Sequence, residues 1–161
     1  MSAGAASLTS GIILPEADME CTLYPFNTLG EYKYADIVAL HKGKWVFSKH
    51  KDRTTWETQG GHIEKGETPL EAAKRELFEE AGATDFDIEP LCDYSVSGYF
   101  NGADISGNSQ VFFATVHTLS DIPDYSEMEK ICLLDSLPDE LTYPIIRDFF
   151  PLALQRKKAL I

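Results

Sequence analysis

Apolar and β-branched residues are grouped in short runs along most of this chain, and one central segment has helical spacing instead. The runs predict strands at 34–41, 44–50, 56–59, 86–99, 110–119 and 129–134. Polar residues 101–108 predict a loop between two of these strands. Apolar residues at helical spacing predict a C-terminal helix at 144–160, which Pro151 should kink or divide.

Residues 68–82 carry the start and stop signals of the central helix. Thr68 is a favourable N-cap, and Pro69 follows it at the first helical position. Glu71 stands three residues after Thr68 and completes a capping box. Gly82 is suited to the left-handed position that ends many helices. The pattern therefore predicts a helix over 69–81.

This helix has an apolar stripe with an acidic stripe beside it. At 100° per residue, the stripe that we expect to be buried comprises Leu70, Ala73, Leu77 and Ala81. Glu76, Glu79 and Glu80 occupy the adjacent arc. Like charges one turn apart destabilise a helix by about 0.2–0.5 kcal/mol per pair. The pattern therefore favours a bound cation, and a metal-dependent enzyme, over a solvated acidic face. Arg75 lies at the rim of the arc, where its planar fork can tether carboxylates.

Length and composition indicate one domain. The chain has 161 residues, 43% of them hydrophobic, and no apolar run of membrane-spanning length. We expect residues 1–20 to be a flexible leader, because they lack the basic and hydrophobic regions of a signal peptide, and 21–161 to form the domain. The cysteines are widely spaced, which indicates reduced thiols and a cytoplasmic location; they are Cys21, Cys92 and Cys132. A net charge of −12 argues against nucleic-acid binding. A homodimer is left open.

The residues from 61 to 83 resemble the box of the Nudix hydrolases. The matching positions are Gly61, Glu67, Arg75, Glu76, Leu77, Glu79, Glu80 and Gly82. Ala83 departs from the bulky aliphatic residue that the family usually has there. The resemblance implies an α/β/α sandwich with a central mixed β-sheet. It also implies hydrolysis of a nucleoside diphosphate linked to another group.

The resemblance further implies a set of metal ligands. They correspond to Glu76, Glu79 and Glu80, with a backbone carbonyl from Gly60-Gly61, and oxygen ligands suit Mg²⁺ or Mn²⁺. Glu67 is expected to be a further carboxylate of the metal site, held with Arg75. The catalytic residues are then Arg75, Glu76 and Glu79. The general base stays open between Glu79 and an acid of a later loop, namely Asp121, Asp124 or Glu127.

Candidate substrate contacts come from basic and aromatic residues near the box. Lys51 and Arg53 end a basic segment and could contact phosphate, and His62 stands where related enzymes often have Lys. Trp56 and Tyr99 are candidates for stacking on a nucleobase, although most aromatic residues belong to a core.

The resemblance leaves several activities open. Residues 44–57 are similar to Nudix enzymes acting on nucleoside triphosphates or oxidised guanine nucleotides, which we rank first. The position of Tyr99 is similar to dinucleoside-polyphosphate hydrolases, and a nucleotide-sugar hydrolase is also open. A non-catalytic nucleotide-sensing module is disfavoured because all box carboxylates are present. An isomerase of the isopentenyl-diphosphate type would need a catalytic cysteine, and none lies in a recognisable motif.

Overall fold

The computed structural model describes residues 7–9, 12–14 and 17–160. Its strands are β1 (Ser7–Thr9), β2 (Ile12–Leu14), β3 (Ala17–Tyr24), β4 (Tyr32–His41), β5 (Lys44–His50), β6 (Gln59–His62), β7 (Ala83–Phe100), β8 (Ala103–Leu119) and β9 (Met128–Leu134). Its helices are α1 (Pro69–Ala81) and α2 (Ile146–Ala159).

A mixed β-sheet forms the centre of the molecule. The strand order is β3-β7-β8-β4-β5-β9, and β6 pairs with the part of β4 that β5 leaves uncovered. β4 and β8 are parallel, whereas the other pairs in this sheet are antiparallel. The strands β1 and β2 pair only with each other.

The two helices cover opposite faces of the sheet, as the alternation along β4 shows. Ala35 and Ile37 pack in the core beneath α1, together with the buried side of that helix. Val38 and Leu40 belong to the other core, which includes Phe149 and its neighbours on α2. Successive strand residues point to opposite faces, so one strand supplies both cores. This arrangement confirms the predicted α/β/α sandwich with a central mixed sheet.

The helix α1 begins and ends where the sequence predicts. Thr68 and Glu71 form the reciprocal capping box, and Gly82 ends the helix with φ 74°. Ala73, Leu77 and Ala81 are buried as predicted, but Leu70 is 38% exposed, and Ala72 is buried as well. Leu70 lies in the first turn, where it borders a groove beside Phe26 rather than the sheet.

The predicted loop at 101–108 is wrong. β7 and β8 form one long hairpin whose turn is only Asn101-Gly102, and both of these residues have positive φ angles. Asp104 and Ser106 lie within β8, where they pair with Tyr99 and Ser97. Polar residues alternate there along a partly exposed ribbon, and a count of polar residues does not distinguish this from a loop.

Other boundaries also differ from the sequence prediction. The short strand near the box is Gln59–His62 rather than 56–59, because Trp56 and Glu57 make only isolated bridges to Leu141 and Ser48. The helix α2 runs through Pro151 without a break. The buried side chains before and after the proline hold both parts against the sheet, and they are Ile146, Phe149, Phe150 and Ala153.

Half of the predicted N-terminal leader, residues 1–20, lies outside the described residues. Its last four residues belong to β3, where Met19 packs against the core beneath α2. Cys21, Cys92 and Cys132 are free cysteines. Within the described residues, neither helix is long and apolar enough to cross a membrane.

Candidate active site

Two glycines of β6 stand between acidic groups on the two faces of the sheet. A Cβ atom on Gly61 would lie 2.9 Å from Glu76 Oε1 on the α1 face. A Cβ atom on Gly60 would lie 2.4 Å from Asp36 Oδ1 on the opposite face. Any side chain at either position would collide with a carboxylate. The glycine pair therefore lets acids from both faces approach the same stretch of backbone.

One guanidinium group organises the acids on the α1 face. Arg75 donates to Glu67 through Nε and Nη2, at 2.7 and 3.0 Å. Its Nη1 donates to Glu76 Oε1 at 2.7 Å and to Glu79 Oε1 at 3.0 Å. The bonds from Arg75 lower the pKa of the Glu67 carboxyl group, and those bonds also raise the pKa of Arg75. Arg75 thus tethers carboxylates from the helix and from the loop before it.

Glu80 differs from these acids because no cation pairs with it. Its Oε1 accepts a hydrogen bond from the Gly60 amide at 2.8 Å. Among the described residues, no Lys, Arg or His side chain lies within ion-pair distance of the Glu80 carboxylate. Burial first, and then repulsion from Glu76, raise the pKa of Glu80 well above its usual range. Burial also raises the pKa of Glu76, although Arg75 opposes the rise.

The predicted metal ligands do not form a ready-made metal site. Over residues 17–160, whose side chains are described, no group of at least three His, Cys, Asp or Glu has the geometry to hold an ion. Arg75 Nη1 joins Glu76 to Glu79 and occupies the place of a cation between them. The donor chemistry nevertheless fits a hard divalent ion, because Glu76, Glu79 and Glu80 offer carboxylate oxygens and Glu80 pairs with none of the described cationic side chains.

A cavity of about 190 Å³ lies on the other side of Gly60 and Gly61, between the sheet and α2. Its lining is polar beside β6 and mainly apolar farther away. The aromatic and aliphatic residues include Tyr34, Tyr94, Val96, Phe100, Tyr143 and Phe149. Pockets of this kind, apolar with a few convergent polar groups, are typical small-molecule sites.

Two acids at the polar end of the cavity were missed by the sequence analysis. Asp36 Oδ2 accepts hydrogen bonds from the hydroxyls of Tyr94 and Ser109, at 2.7 and 2.6 Å. Burial raises the pKa of Asp36 despite these donors. Glu57 is only 4% exposed, and burial raises its pKa to about 7, although Arg53 limits the rise. The only sequence signal for Asp36 was an acid inside an apolar strand.

Arg53, a predicted phosphate contact, is not among the cavity-lining residues but contacts three of them. Its Nη1 donates to Glu57 Oε1 at 3.1 Å. Its guanidinium lies 5.8 Å from the ring centroid of Tyr143 and 6.0 Å from that of Phe100, which themselves contact each other. Arg53 therefore lies at the polar end of an aromatic wall.

The remaining predicted substrate contacts are spread over different surfaces. His62 lines the cavity, and its ring centroid lies 5.0 Å from that of Tyr34. Tyr99 lies on the opposite face of β7 from the cavity-lining residue Phe100, since neighbouring strand residues alternate. Neither Trp56 nor Lys51 is among the cavity-lining residues: Trp56 packs against the core beneath α2, and Lys51 is exposed in the turn after β5.

The loop between β8 and β9 carries the other candidates for the general base. Its acids are all exposed, and they are Asp121, Asp124 and Glu127. The residue of this loop that interacts with the Glu79 carboxylate is Tyr125, through its phenol. No sequence signal had indicated Tyr125.

Comparison with known proteins agrees with this architecture. The model of the NUDIX domain matches residues 31–152, which is most of the chain. The fold and the box residues are those of a Nudix domain. The chain belongs to the Nudix hydrolase family, as the box residues had implied.

Two relatives of known sequence are similar to this chain over different lengths. Bacillus subtilis (strain 168) YtkD, provisionally named an 8-oxo-dGTP diphosphatase, is 34% identical over 110 residues, which are 68% of this chain and 66% of YtkD. The RNA pyrophosphohydrolase of Francisella philomiragia is 44% identical over 56 residues, which are 34% of this chain and 36% of that protein. The matches therefore span less than two thirds of either relative.

Solved structures share the fold at lower identity. A mutant of the Bacillus subtilis pyrophosphohydrolase BsRppH has a TM-score of 0.71 and 24% identity, over 87% of this chain and 90% of that one. A Nudix hydrolase from Nitrosomonas europaea has a TM-score of 0.63 and 18% identity, over 79% of this chain and 91% of that one.

Proposed function

We propose that this enzyme is a Mg²⁺-dependent pyrophosphohydrolase, with Mn²⁺ as an alternative ion, that converts a nucleoside triphosphate or an oxidised guanine nucleotide to nucleoside monophosphate and pyrophosphate. The observation that carries the proposal is the position of Glu80. This partly buried acid has a single amide donor, lies beside Gly60-Gly61, and adjoins a cavity on the other face.

The metal would be held by Glu76, Glu79 and Glu80, with a carbonyl of Gly60-Gly61. Binding requires Arg75 Nη1 to release Glu76 and Glu79, while the paired bonds to Glu67 retain the guanidinium beside the site. When bound, the ion neutralises charge on the diphosphate and acidifies a water molecule.

Charge distribution supports a diphosphate bound across β6. Acids surround Gly60-Gly61 on both faces, so a substrate anion needs cations of its own to approach. Arg53 provides the protein's positive charge at the cavity, where Glu57 and the ring of Tyr143 hold its guanidinium. The nucleoside would then occupy the apolar cavity, with its phosphates directed toward α1.

Hydrolysis needs a base next to the diphosphate, and Glu79 is our choice. Water oxygen bonds to one phosphorus, the bridging P–O bond breaks, and the leaving phosphate retains the electron pair. Glu79 accepts the proton of the attacking water. It is partly exposed and shares Arg75 Nη1 with Glu76, so a small movement frees it. The loop acids Asp121, Asp124 and Glu127 remain the alternatives.

The similarity to YtkD favours the nucleoside triphosphate class, and the dinucleoside-polyphosphate or nucleotide-sugar class is the second candidate. The environment of the cysteines argues against the isomerase alternative. Burial raises the pKa of both Cys21 and Cys92 to about 12, which suits neither thiol for nucleophilic or acid–base chemistry near neutral pH. A cytoplasmic location remains a prediction from cysteine spacing, and a homodimer remains open.

The proposal is tested by incubating the purified protein with Mg²⁺ and a panel of nucleotides, and by resolving the phosphate products. We expect nucleoside monophosphate and pyrophosphate from a triphosphate of the panel. Tight binding of a nucleotide without turnover of any diphosphate compound would instead identify a sensing module.

A further inference from the structure

We propose that Tyr125 forms a stacking surface for a second aromatic group, the base at the far end of a dinucleoside polyphosphate. This inference rests on the proposed function, because it takes the carboxylates of α1 as the place of the diphosphate. It adds a binding surface on the face opposite the cavity.

The loop that carries Tyr125 is anchored at both ends. Near its start, the Ser120 amide donates to the Gly82 carbonyl at 2.7 Å, next to the C-terminus of α1. At its end, the Glu127 carbonyl accepts from the Lys51 amide at 2.9 Å. The loop therefore crosses from the helix to the end of β5, beside the proposed diphosphate site.

The ring of Tyr125 is exposed to solvent in this loop. It is 69% exposed, and the next residue, Ser126, is buried and donates its amide to the Pro123 carbonyl at 3.0 Å. The phenol of Tyr125 interacts with the Glu79 carboxylate. Any of the nucleobases can stack on such a ring, because every base has a π face.

Tyr125 and the cavity lie on opposite faces of the sheet, so they would contact opposite ends of one substrate. Tyr125 is not among the cavity-lining residues, which belong to the α2 face. A linear molecule with one nucleoside in the cavity passes over Gly60-Gly61 and emerges at Glu79 on the α1 face. Its second nucleoside then meets the exposed ring of Tyr125.

Charge around the ring favours a base over a nucleic-acid chain. Asp121, Asp124 and Glu127 all belong to the same loop and are exposed. A run of phosphodiesters would be repelled by these acids, whereas a nucleobase is uncharged. We therefore assign the surface to the terminal nucleoside of a dinucleoside polyphosphate rather than to the 5′ end of an RNA.

The test compares Tyr125→Ala and Tyr125→Phe with the wild type on diadenosine tetraphosphate and on ATP, which share one base. Tyr125→Ala should raise KM for diadenosine tetraphosphate about tenfold, the lower part of the range expected for one base stack. KM for ATP should change less than about twofold. Tyr125→Phe, which retains the ring and loses the hydroxyl, should keep the KM of the wild type for diadenosine tetraphosphate.

Binding without turnover separates this inference from the proposed function. Equilibrium binding of diadenosine tetraphosphate and of ATP is measured on a Glu80→Gln background, with and without the additional change Tyr125→Ala. Weaker binding of diadenosine tetraphosphate alone supports the stacking surface, even if the wild type hydrolyses no anhydride and the proposed function fails. Equal losses of binding for both ligands would overturn the inference, and so would a KM for diadenosine tetraphosphate that rises as much in Tyr125→Phe as in Tyr125→Ala.

Discussion

Asp93 and Glu80 are both enclosed carboxylates, and their surroundings are opposite in character. Asp93 accepts hydrogen bonds from the amides of Asn27, Thr28 and Leu29, at 3.0, 2.9 and 3.1 Å, and from the Tyr32 hydroxyl at 2.5 Å. Glu80 has only the Gly60 amide. Burial by itself would raise the pKa of Asp93, but the donors lower it on balance, whereas the pKa of Glu80 is raised.

This difference distinguishes an acid whose charge is compensated by the protein from an acid that needs a bound cation or ligand. The donors around Asp93 fix the segment between β3 and β4, so its charge is already compensated within the chain. Glu80 lacks such compensation, which costs stability unless a cation or ligand supplies it. The uncompensated Glu80 carboxylate lies close to the cavity, which a ligand can enter.

The largest expected effect comes from Glu80→Gln, which preserves shape and removes the charge. Turnover should fall about 10³-fold, because an electrostatic contact to the reacting groups is lost. Binding of Mg²⁺, measured by calorimetry, should weaken as well. Glu20→Gln, on the exposed side of β3, is the control and should leave both quantities unchanged. A folded Glu80→Gln variant with normal activity would remove Glu80 from the metal site.

Asp93→Ala should affect stability and not chemistry. It leaves amides and a hydroxyl without their acceptor, so the free energy of unfolding should fall by about 3 kcal/mol. Urea unfolding at pH 7 measures the change, with Asp18→Ala as the exposed control. If the variant retains its stability but loses activity, the distinction drawn between the two acids is wrong.

The smallest effect is a difference in the pH dependence of stability. Because the pKa of Asp93 is lowered below 3.8, its contribution is present above that value and is lost as the pH falls through the folded pKa. The pKa of Glu57 is raised from 4.5 to about 7, so its contribution is present below 4.5 and is lost as the pH rises through about 7.

Glu57→Gln should therefore reduce the loss of stability that metal-free protein shows between pH 5 and pH 7.5. Urea midpoints at the two pH values measure this slope, and Glu20→Gln again serves as the control. An unchanged slope in Glu57→Gln would show that Glu57 does not titrate in this range in the folded protein.

The part of the site that lies on α1 and in the loop before it could be predicted from the sequence. Thr68, Glu71 and Gly82 act through bonds within a few residues, so the helix boundaries follow from local rules. The box acids lie on one helix, and helical geometry alone places them on one face. The role of Arg75 as a tether also follows from spacing, although its strongest partner is Glu67 in the preceding loop.

The cavity could not be predicted from the sequence, because its residues come from distant segments. Asp36, Glu57, Phe100 and Tyr143 meet only after β4, β7 and the segments that precede β6 and α2 have packed around the same space. Tyr99 and Phe100 could not be ranked from sequence, since the choice depends on which face of β7 is covered. Tyr125 likewise reaches Glu79 only through the path of its loop.

The amino-acid order by itself determined the family, the helix and the row of acids, since these depend on interactions over one or two helical turns. Only the tertiary structure decided which acids are paired by Arg75, which are left without a cation, and which aromatic rings line the cavity. Those outcomes depend on burial and on the distances between segments remote in the chain, and no local pattern contains that information.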